Sequence, residues 1–416
     1  MPGIRALHST FVILIAFLIS LPFASAAPKE RVIHTFHGNP DGANPSVRLI
    51  SDGHGGFYGT AGTGGEFNEG CVFHLAPGSD GAWRESILYS FSGPDGDSPD
   101  SSLIFDAAGN LYGTTAAGGA FSGGVAFELS PSSSLPWTET VLHNFGNGTD
   151  GSDPQSELVF DSAGNLYGTT QFGGASGGFE NGGTVYRLSP GSGGWTETIL
   201  YSFPLNYGGP DGDLPAGTVA IDKAGNLYGV TQAGGFYGYG SIFELTPSSD
   251  GSYRERIIHS FNLTDGSLPD ATLIFDSAGN LYGTTTFGGD TTLCPPNGCG
   301  TVFRLQRHAD RTWFATVLRA LKQADGWCAI GPVAFDSAGN LYAAAECGGA
   351  YGWGSVLQLI PSSTVPWPER VVHSFINGPD GRFPGAGVIV DGAGHLFGTT
   401  IYGGTADLGT VFEIVP

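Results

Sequence analysis

A β-propeller of seven blades, each built from four antiparallel strands, is the fold this sequence predicts, and three observations predict it. Glycine and proline supply 70 and 26 of the 416 residues, yet 12% of the chain is aromatic and only 13% is charged. Disordered chains are poor in aromatics and rich in charge, so the glycine belongs to the turns of a folded, strand-rich protein. The phrase Asp-x-x-Gly-Asn-Leu-Tyr-Gly-Thr-Thr recurs, its Tyr position falling at Tyr58, Tyr112, Tyr167, Tyr228, Tyr282, Tyr342 and Phe397, spaced by 54, 55, 61, 54, 60 and 55 residues. Each unit holds four short apolar runs bounded by turn residues. Repeats of this length with four strands apiece close radially.

The second unit shows why each run is a strand. The predicted runs are Ser102–Asp106, Asn110–Thr115, Val125–Ser130 and Glu139–Phe145, all rich in Val, Leu, Phe, Tyr or Thr. Such residues suit a pleated, half-buried surface. The first two runs meet at an Asp-x-x-Gly-Asn joint, where Asp bonds its own backbone and Gly supplies positive φ. A Gly-Gly pair follows the second run in every unit, from Gly64-Gly65 to Gly403-Gly404, and a Trp or Tyr precedes the fourth. An Asp-Gly pair closes the unit. With one Met and three Lys (Lys29, Lys223, Lys322), strong helix formers are scarce.

The phase of the repeat fixes how the ring closes. The chain after its leader opens on a fourth-type run, Arg31–Phe36, and ends on a third-type run, Gly409–Pro416. The N-terminal run is therefore the missing outer strand of blade 7, and its insertion removes an open edge.

Residues 1–26 read as a secretory signal: Arg5, then the apolar run Phe11–Leu21, then the small-residue cleavage site Ala24-Ser25-Ala26. Residues 27–416 are the propeller. Export places the protein in a secreted, periplasmic or cell-envelope setting that permits disulfides. No later run reaches the roughly 20 apolar residues of a membrane span. A net charge of −22 excludes nucleic acid as a partner, since phosphate binding needs clustered Lys and Arg. A monomer is expected.

The pattern Leu-Tyr-Gly-Thr-Thr-x-x-Gly-Gly…Gly-Thr-Val-Phe-x-Leu-x-Pro, plain at Gly109–Pro131, Gly164–Pro190, Gly225–Pro247 and Gly279–Leu305, resembles the GloVer (Gloeo/Verruco) tandem repeat of exported bacterial proteins. It decays at Ala343-Ala344-Ala345 and at His54-Gly55-Gly56-Phe57. The resemblance implies a secreted or envelope protein and brings no catalytic residues.

Most recurring polar residues read as structure. The acids Asp52, Asp106, Asp161, Asp222, Asp276, Asp336 and Asp391 cap hairpins. The Asp-Gly acids Asp41, Asp95, Asp150, Asp211, Asp265, Asp325 and Asp380 form a ring of turn caps on one face. Calcium is the only cofactor these acids leave open, through the local clusters Asp95, Asp97, Asp100 and Asp150, Asp153, and no Asp-x-Asp-x-Asp-Gly loop supports it. The outer-strand residues His34, His143, His259 and His373 share their position with Tyr89, Tyr201 and Arg319, so they read as packing.

Chemistry should lie where the repeat is broken. Arg48 and Glu157 stand at the start of inner strands where other blades have small residues, facing the expected channel. A lactonase-like, metal-dependent hydrolase would gather Glu157, Glu346 and Asp290 at the channel mouth, without a nucleophilic triad or phosphate loop to accompany them. The other break is aromatic: Phe236, Tyr237, Tyr239, Phe287, Trp327, Tyr351 and Trp353 fall in loops of blades 4 to 6, beside Glu346, Asp290 and Asn297. Flat rings flanked by acids and amides suit the apolar faces of sugars. The expectation is a non-catalytic binding scaffold for polysaccharide or protein, with Trp327, Trp353, Tyr351, Tyr237, Tyr239 and Glu346 as ligand-binding residues. Of five cysteines, Cys294 is expected to pair with Cys299 and Cys328 with Cys347, leaving Cys71 free; other pairings of the four remain open.

Overall fold

The computed structural model describes residues 28–175, 182–204 and 209–416; the expected signal segment lies outside them. Seven four-stranded antiparallel sheets follow one another along the chain. Blade 2 is typical, with Ile104–Phe105 innermost, then Leu111–Thr115, Val125–Ser130 and Thr138–Asn144 outermost. Inner strands are shorter than the sequence implies, except in blade 4, where Gly212–Ile221 is extended. Among the described residues no helix is long and apolar enough to cross a membrane.

Blade 7 is completed as the phase predicts. Lys29–Thr35 lies outside Thr410–Val415, with Lys29 opposite Val415 and Thr35 opposite Thr410. Its Arg31 guanidinium bonds the Glu413 carboxylate.

Every outer strand carries a β-bulge at the same place, between Val32 and His34, between Ile87 and Tyr89 in blade 1, and so on around the ring. A bulge inserts one residue and re-aims it. Of the seven inserted residues, Ile33, Leu88, Leu142, Leu318 and Val372 are buried and Leu200 and Ile258 half-buried, so the bulge converts a surface position into packing.

The hairpins bear out the capping role of their acids. Asp106 accepts the backbone N–H of Ala108 and Asn110, the Asn110 side-chain amide and the Tyr112 hydroxyl, at 2.8 to 3.1 Å. Asp161, Asp222, Asp276 and Asp336 repeat the arrangement. These bonds hold the Asp106 carboxyl below its usual range despite opposing burial.

The core lies between blades, and one pairing explains a decayed repeat. A Cβ on Gly113 would meet the Phe127 ring at 2.8 Å, and one on Gly59, Gly229, Gly283 or Gly398 would meet Phe73, Phe243, Phe303 or Phe412 at 2.3 to 2.7 Å. In blade 6 the glycine is Ala343, and its partner is Leu357 instead of an aromatic. The smaller side chain vacates the space the methyl fills. Gly113→Ala should therefore destabilise by about 1–3 kcal/mol through overpacking, and Gly113→Ala with Phe127→Leu should recover part of that loss. Urea unfolding of both variants checks this; a double variant less stable than the single one contradicts it.

Candidate functional site

The two connections that the sequence assigns to one face pair there directly. The outer-to-inner connection of each blade forms short ladders with the loop after the second strand: Gly42–Ala43 with Thr63–Gly64, Gly151–Ser152 with Phe172–Gly173, Asp97 with Ala117, Ser267 with Phe287, Trp327 with Cys347, and Arg382 with Tyr402. Seven residues in these connections take a positive φ although none is glycine: Asn44, Ser98, Asp153, Leu214, Leu268, Cys328 and Phe383. In six blades the next residue is proline. The ladder and the fixed proline φ hold this bend, which turns the following residues into the channel.

The channel mouth is a cavity of about 180 Å³, and its wall does not follow the repeat. Ser46, Asp100, Gln155, Gln171, Gln232, Asp270 and Thr272 make one side polar, while Ile330, Pro332 and Ala386 make the other apolar. Arg48 and Glu157 meet there. The Arg48 guanidinium donates to both Glu157 oxygens at 2.9 and 3.0 Å, joining blades 1 and 3. Gln232 donates to Asp270 at 2.8 Å, and Ser46 to Asp100 at 2.9 Å. Burial pushes the carboxyls of Asp100, Asp153 and Asp270 up. Glu346 is raised as well, by burial and then by nearby Asp270.

The three carboxylates proposed for a hydrolase do not converge. Glu157 is tied to Arg48, and Glu346 neighbours Asp270. Asp290 is exposed at the outer rim, capping Thr292.

The aromatic loops make three groups of ring contacts, in blade 4, between blades 5 and 6, and between blades 6 and 7, joined by backbone bonds. Phe236 and Tyr237 contact edge to face at 4.9 Å and are 73% and 55% exposed. The Tyr239 carbonyl accepts the Leu268 N–H, which joins the blade 4 loop to blade 5. Phe287 lies 6.4 Å from Trp327, and Trp327 covers Gly348, where an added Cβ would lie 2.6 Å from its ring. Gly348 pairs with Trp353, which contacts Phe383 at 5.6 Å; Phe383 contacts Tyr402 at 6.1 Å. Arg382 stacks over Trp353, Phe383 and Tyr402. The crescent thus runs from blade 4 to blade 7. Trp327 and Trp353 are half-buried, and the exposed rings are Phe236, Tyr237, Tyr239, Tyr351 and Tyr402. The blade 7 members Arg382, Phe383 and Tyr402 do not stand out in the repeat. In other blades their positions hold Trp327, Leu214 and Leu268, and Phe172 and Phe287, respectively.

One expected disulfide is present and one is absent. Cys294 and Cys299 are bonded, with Cα atoms 5.5 Å apart. Cys71 is free and buried, and Cys328 and Cys347 are free thiols. Trp327, not Cys328, stands opposite Cys347 in the ladder, and Cys328 has a left-handed backbone. The two thiols stay unbonded, and their mutual influence raises Cys328, with burial adding, while it lowers Cys347.

The outer-strand histidines do more than pack. Each blade seam joins three positions: the His, Tyr or Arg of one outer strand, the Asp-Gly acid of the connection, and, in all but one seam, a Glu of the next outer strand. His143 Nε2 lies 3.1 Å from Asp150 and 3.7 Å from Glu197. Tyr89 donates to Asp95 at 2.5 Å, with Glu139 alongside. Arg319 bonds Glu369 and lies 3.8 Å from Asp325. The Asp-Gly acids still cap their turns, as Asp41 does for His37 and Gly42. Their second bond, to the outer strand, was not legible. Burial, followed by the neighbouring Asp, pushes the Glu139 and Glu255 carboxyls up to about 7. Glu30 also stands at about 7, raised mainly by burial, with His373 opposing and Asp380 adding.

Fold and site together define a seven-bladed propeller of tandem GloVer-type repeats, with one differentiated loop face. The chain belongs to the Gloeobacter/Verrucomicrobia repeat family, whose profile matches residues 22–206 and 175–294. No curated protein matches it. Among solved structures, a luciferin-regenerating enzyme is similar over 94% of this chain and 96% of its own, at 13% identity and a TM-score of 0.44. A candidate 6-phosphogluconolactonase from Bacteroides uniformis ATCC 8492 is similar over 79% of this chain and 84% of its own, at 14% identity and a TM-score of 0.49.

Proposed function

We propose that this protein is an exported, non-catalytic binding module that takes polysaccharide on its loop face. The observation that carries this reading is the crescent of aromatic rings beside a channel mouth lined by carboxamides, hydroxyls and carboxyls. Sugar rings present apolar C–H faces that stack on aromatic planes, and hydroxyls that need hydrogen-bond partners. Gln155, Gln171, Gln232, Ser46 and Thr272 offer both donors and acceptors within the cavity. Arg382, held over three rings, stiffens the blade 7 end.

The signal-like segment at residues 1–26 supports export, and the Cys294–Cys299 bond suits an oxidising compartment. Arg48 engages both oxygens of Glu157, which speaks for a fixed wall and against a hydrolytic acid there.

The reading is tested by pull-down on insoluble polysaccharides (cellulose, chitin and a β-1,3-glucan). Wild-type protein should be retained on at least one of them. Trp327→Ala with Trp353→Ala should lose that retention by about tenfold or more, the scale expected when interface aromatics are truncated, while Tyr89→Phe should not. Equal retention of the tryptophan variant, or no retention of the wild type, rejects the site.

A further inference from the structure

We propose that two blade seams, between blades 7 and 1 and between blades 2 and 3, each bind a divalent transition-metal ion through one imidazole nitrogen and two carboxylate oxygens. The ligands are His34, Asp41 and Glu85 in the first seam and His143, Asp150 and Glu197 in the second. In each set the candidate ligand atoms all lie within 4.8 Å of one another.

The spacing is what a small cation requires. Zinc holds nitrogen and oxygen ligands at about 2.0–2.2 Å in a tetrahedron, which sets ligand atoms about 3.4 Å apart. His34 Nε2 lies 3.5 Å from Glu85 and 3.8 Å from Asp41; His143 Nε2 lies 3.1 Å from Asp150 and 3.7 Å from Glu197. A fourth position is left for water.

Unsatisfied ligand atoms point the same way. The Asp150 side chain is only 7% exposed, and its Oδ1 has no hydrogen-bond partner among the described residues. The same holds for Glu197 Oε1, Glu85 Oε1 and His34 Nε2. Buried polar atoms are normally satisfied. The other seams also leave a buried atom without a partner among the described residues (Glu139 Oε1, Glu255 Oε1, His259 Nε2, Glu369 Oε1 and Glu30 Oε1). What sets these two seams apart is the convergence of one imidazole and two carboxylates.

The repeat provides its own controls. The seam after blade 4 has His259 and Asp265, 3.2 Å apart, but Ala315 where a Glu would stand. Tyr89, Tyr201 and Arg319 replace the imidazole in three others. In the seam after blade 6, His373, Asp380 and Glu30 are not drawn into one cluster of this span. An ion in the first seam would join the N-terminal strand (His34), its following loop (Asp41) and blade 1 (Glu85), and so would staple the closure of the ring.

The test is calorimetric titration of ZnCl2 into chelator-stripped full-length protein. The expected result is two zinc ions per chain, one in Glu197→Gln, none in Glu85→Gln with Glu197→Gln, and two in the Tyr-seam control Glu139→Gln. Zinc should raise the Tm of the wild type and leave the double variant unmoved. Cobalt(II) titrated into the wild type should give the visible absorption of a four-coordinate nitrogen–oxygen site, a readout that needs no variant. No binding heat and no cobalt bands, or zinc binding that survives in the folded double variant, would overturn the proposal.

Discussion

Trimming the mature chain through His37 should remove most of the molecule's stability and drive it to aggregate. The lost segment includes the outer strand of blade 7, paired from Lys29–Val415 to Thr35–Thr410. It also carries Ile33, 8% exposed, and Phe36, fully buried against Phe73 at 5.2 Å. Burying each such side chain contributes about 1.5–3 kcal/mol, and emptying a packed phenylalanine site costs about 3–5 kcal/mol. Against a usual total of about 5–15 kcal/mol, the ring is left marginal. The strand Thr410–Val415 would then present an unpaired, apolar edge, a template for intermolecular pairing. Scanning calorimetry and light scattering check this. An unchanged melting curve for the trimmed chain contradicts the closure.

Stability should peak in mildly acidic solution and fall as pH rises through neutrality. Glu30, Glu139 and Glu255 stand at about 7 in the folded chain, against about 4.3 when unfolded. A group raised on folding contributes stability that is complete below its unfolded value and lost as pH climbs through its folded value. These three contributions should therefore fade between about pH 5 and 8. After allowance for solvent screening of half-buried groups, each is on the order of 1 kcal/mol, and together they lower Tm by roughly 5 °C. The hairpin acids work in the opposite sense. Asp106, Asp161, Asp276 and Asp336 are lowered, so their contribution is present above the unfolded value and lost only in strong acid. Melting in metal-free buffer from pH 4 to 9 reads this directly. Replacing all three glutamates with Gln should make the alkaline limb shallower, with the remainder carried by Glu85 and Glu197, which burial also raises; a Tm that rises from pH 5 to 8 contradicts the seam account.

Repetition made the fold legible and made its exceptions hard to read. Blade number, hairpin chemistry and N-terminal closure follow from spacing, since a strand–turn–strand unit cannot change period without breaking every turn. Ala343 looked like decay because its compensation, Leu357, lies on the neighbouring strand. Arg48 and Glu157 stood out individually as breaks, but a pairing across 109 residues requires the ring's geometry. The seam triads were read as separate packing and capping positions because each takes residues from two blades. Cys328 and Cys347 stand on loops of one face, but the ladder sets Trp327 opposite Cys347 and leaves both thiols free.

The account places binding on one face of the ring, and hydrogen–deuterium exchange tests that most directly. The ligand would be a soluble oligosaccharide of whichever polysaccharide retains the wild type. Protection is predicted in the segments 232–240, 286–298, 323–328, 346–353, 382–385 and 401–404, with no change at the opposite-face hairpins 106–110, 276–280, 336–340 and 391–395. Protection confined to those hairpins, or no protection anywhere at saturating ligand, would contradict it.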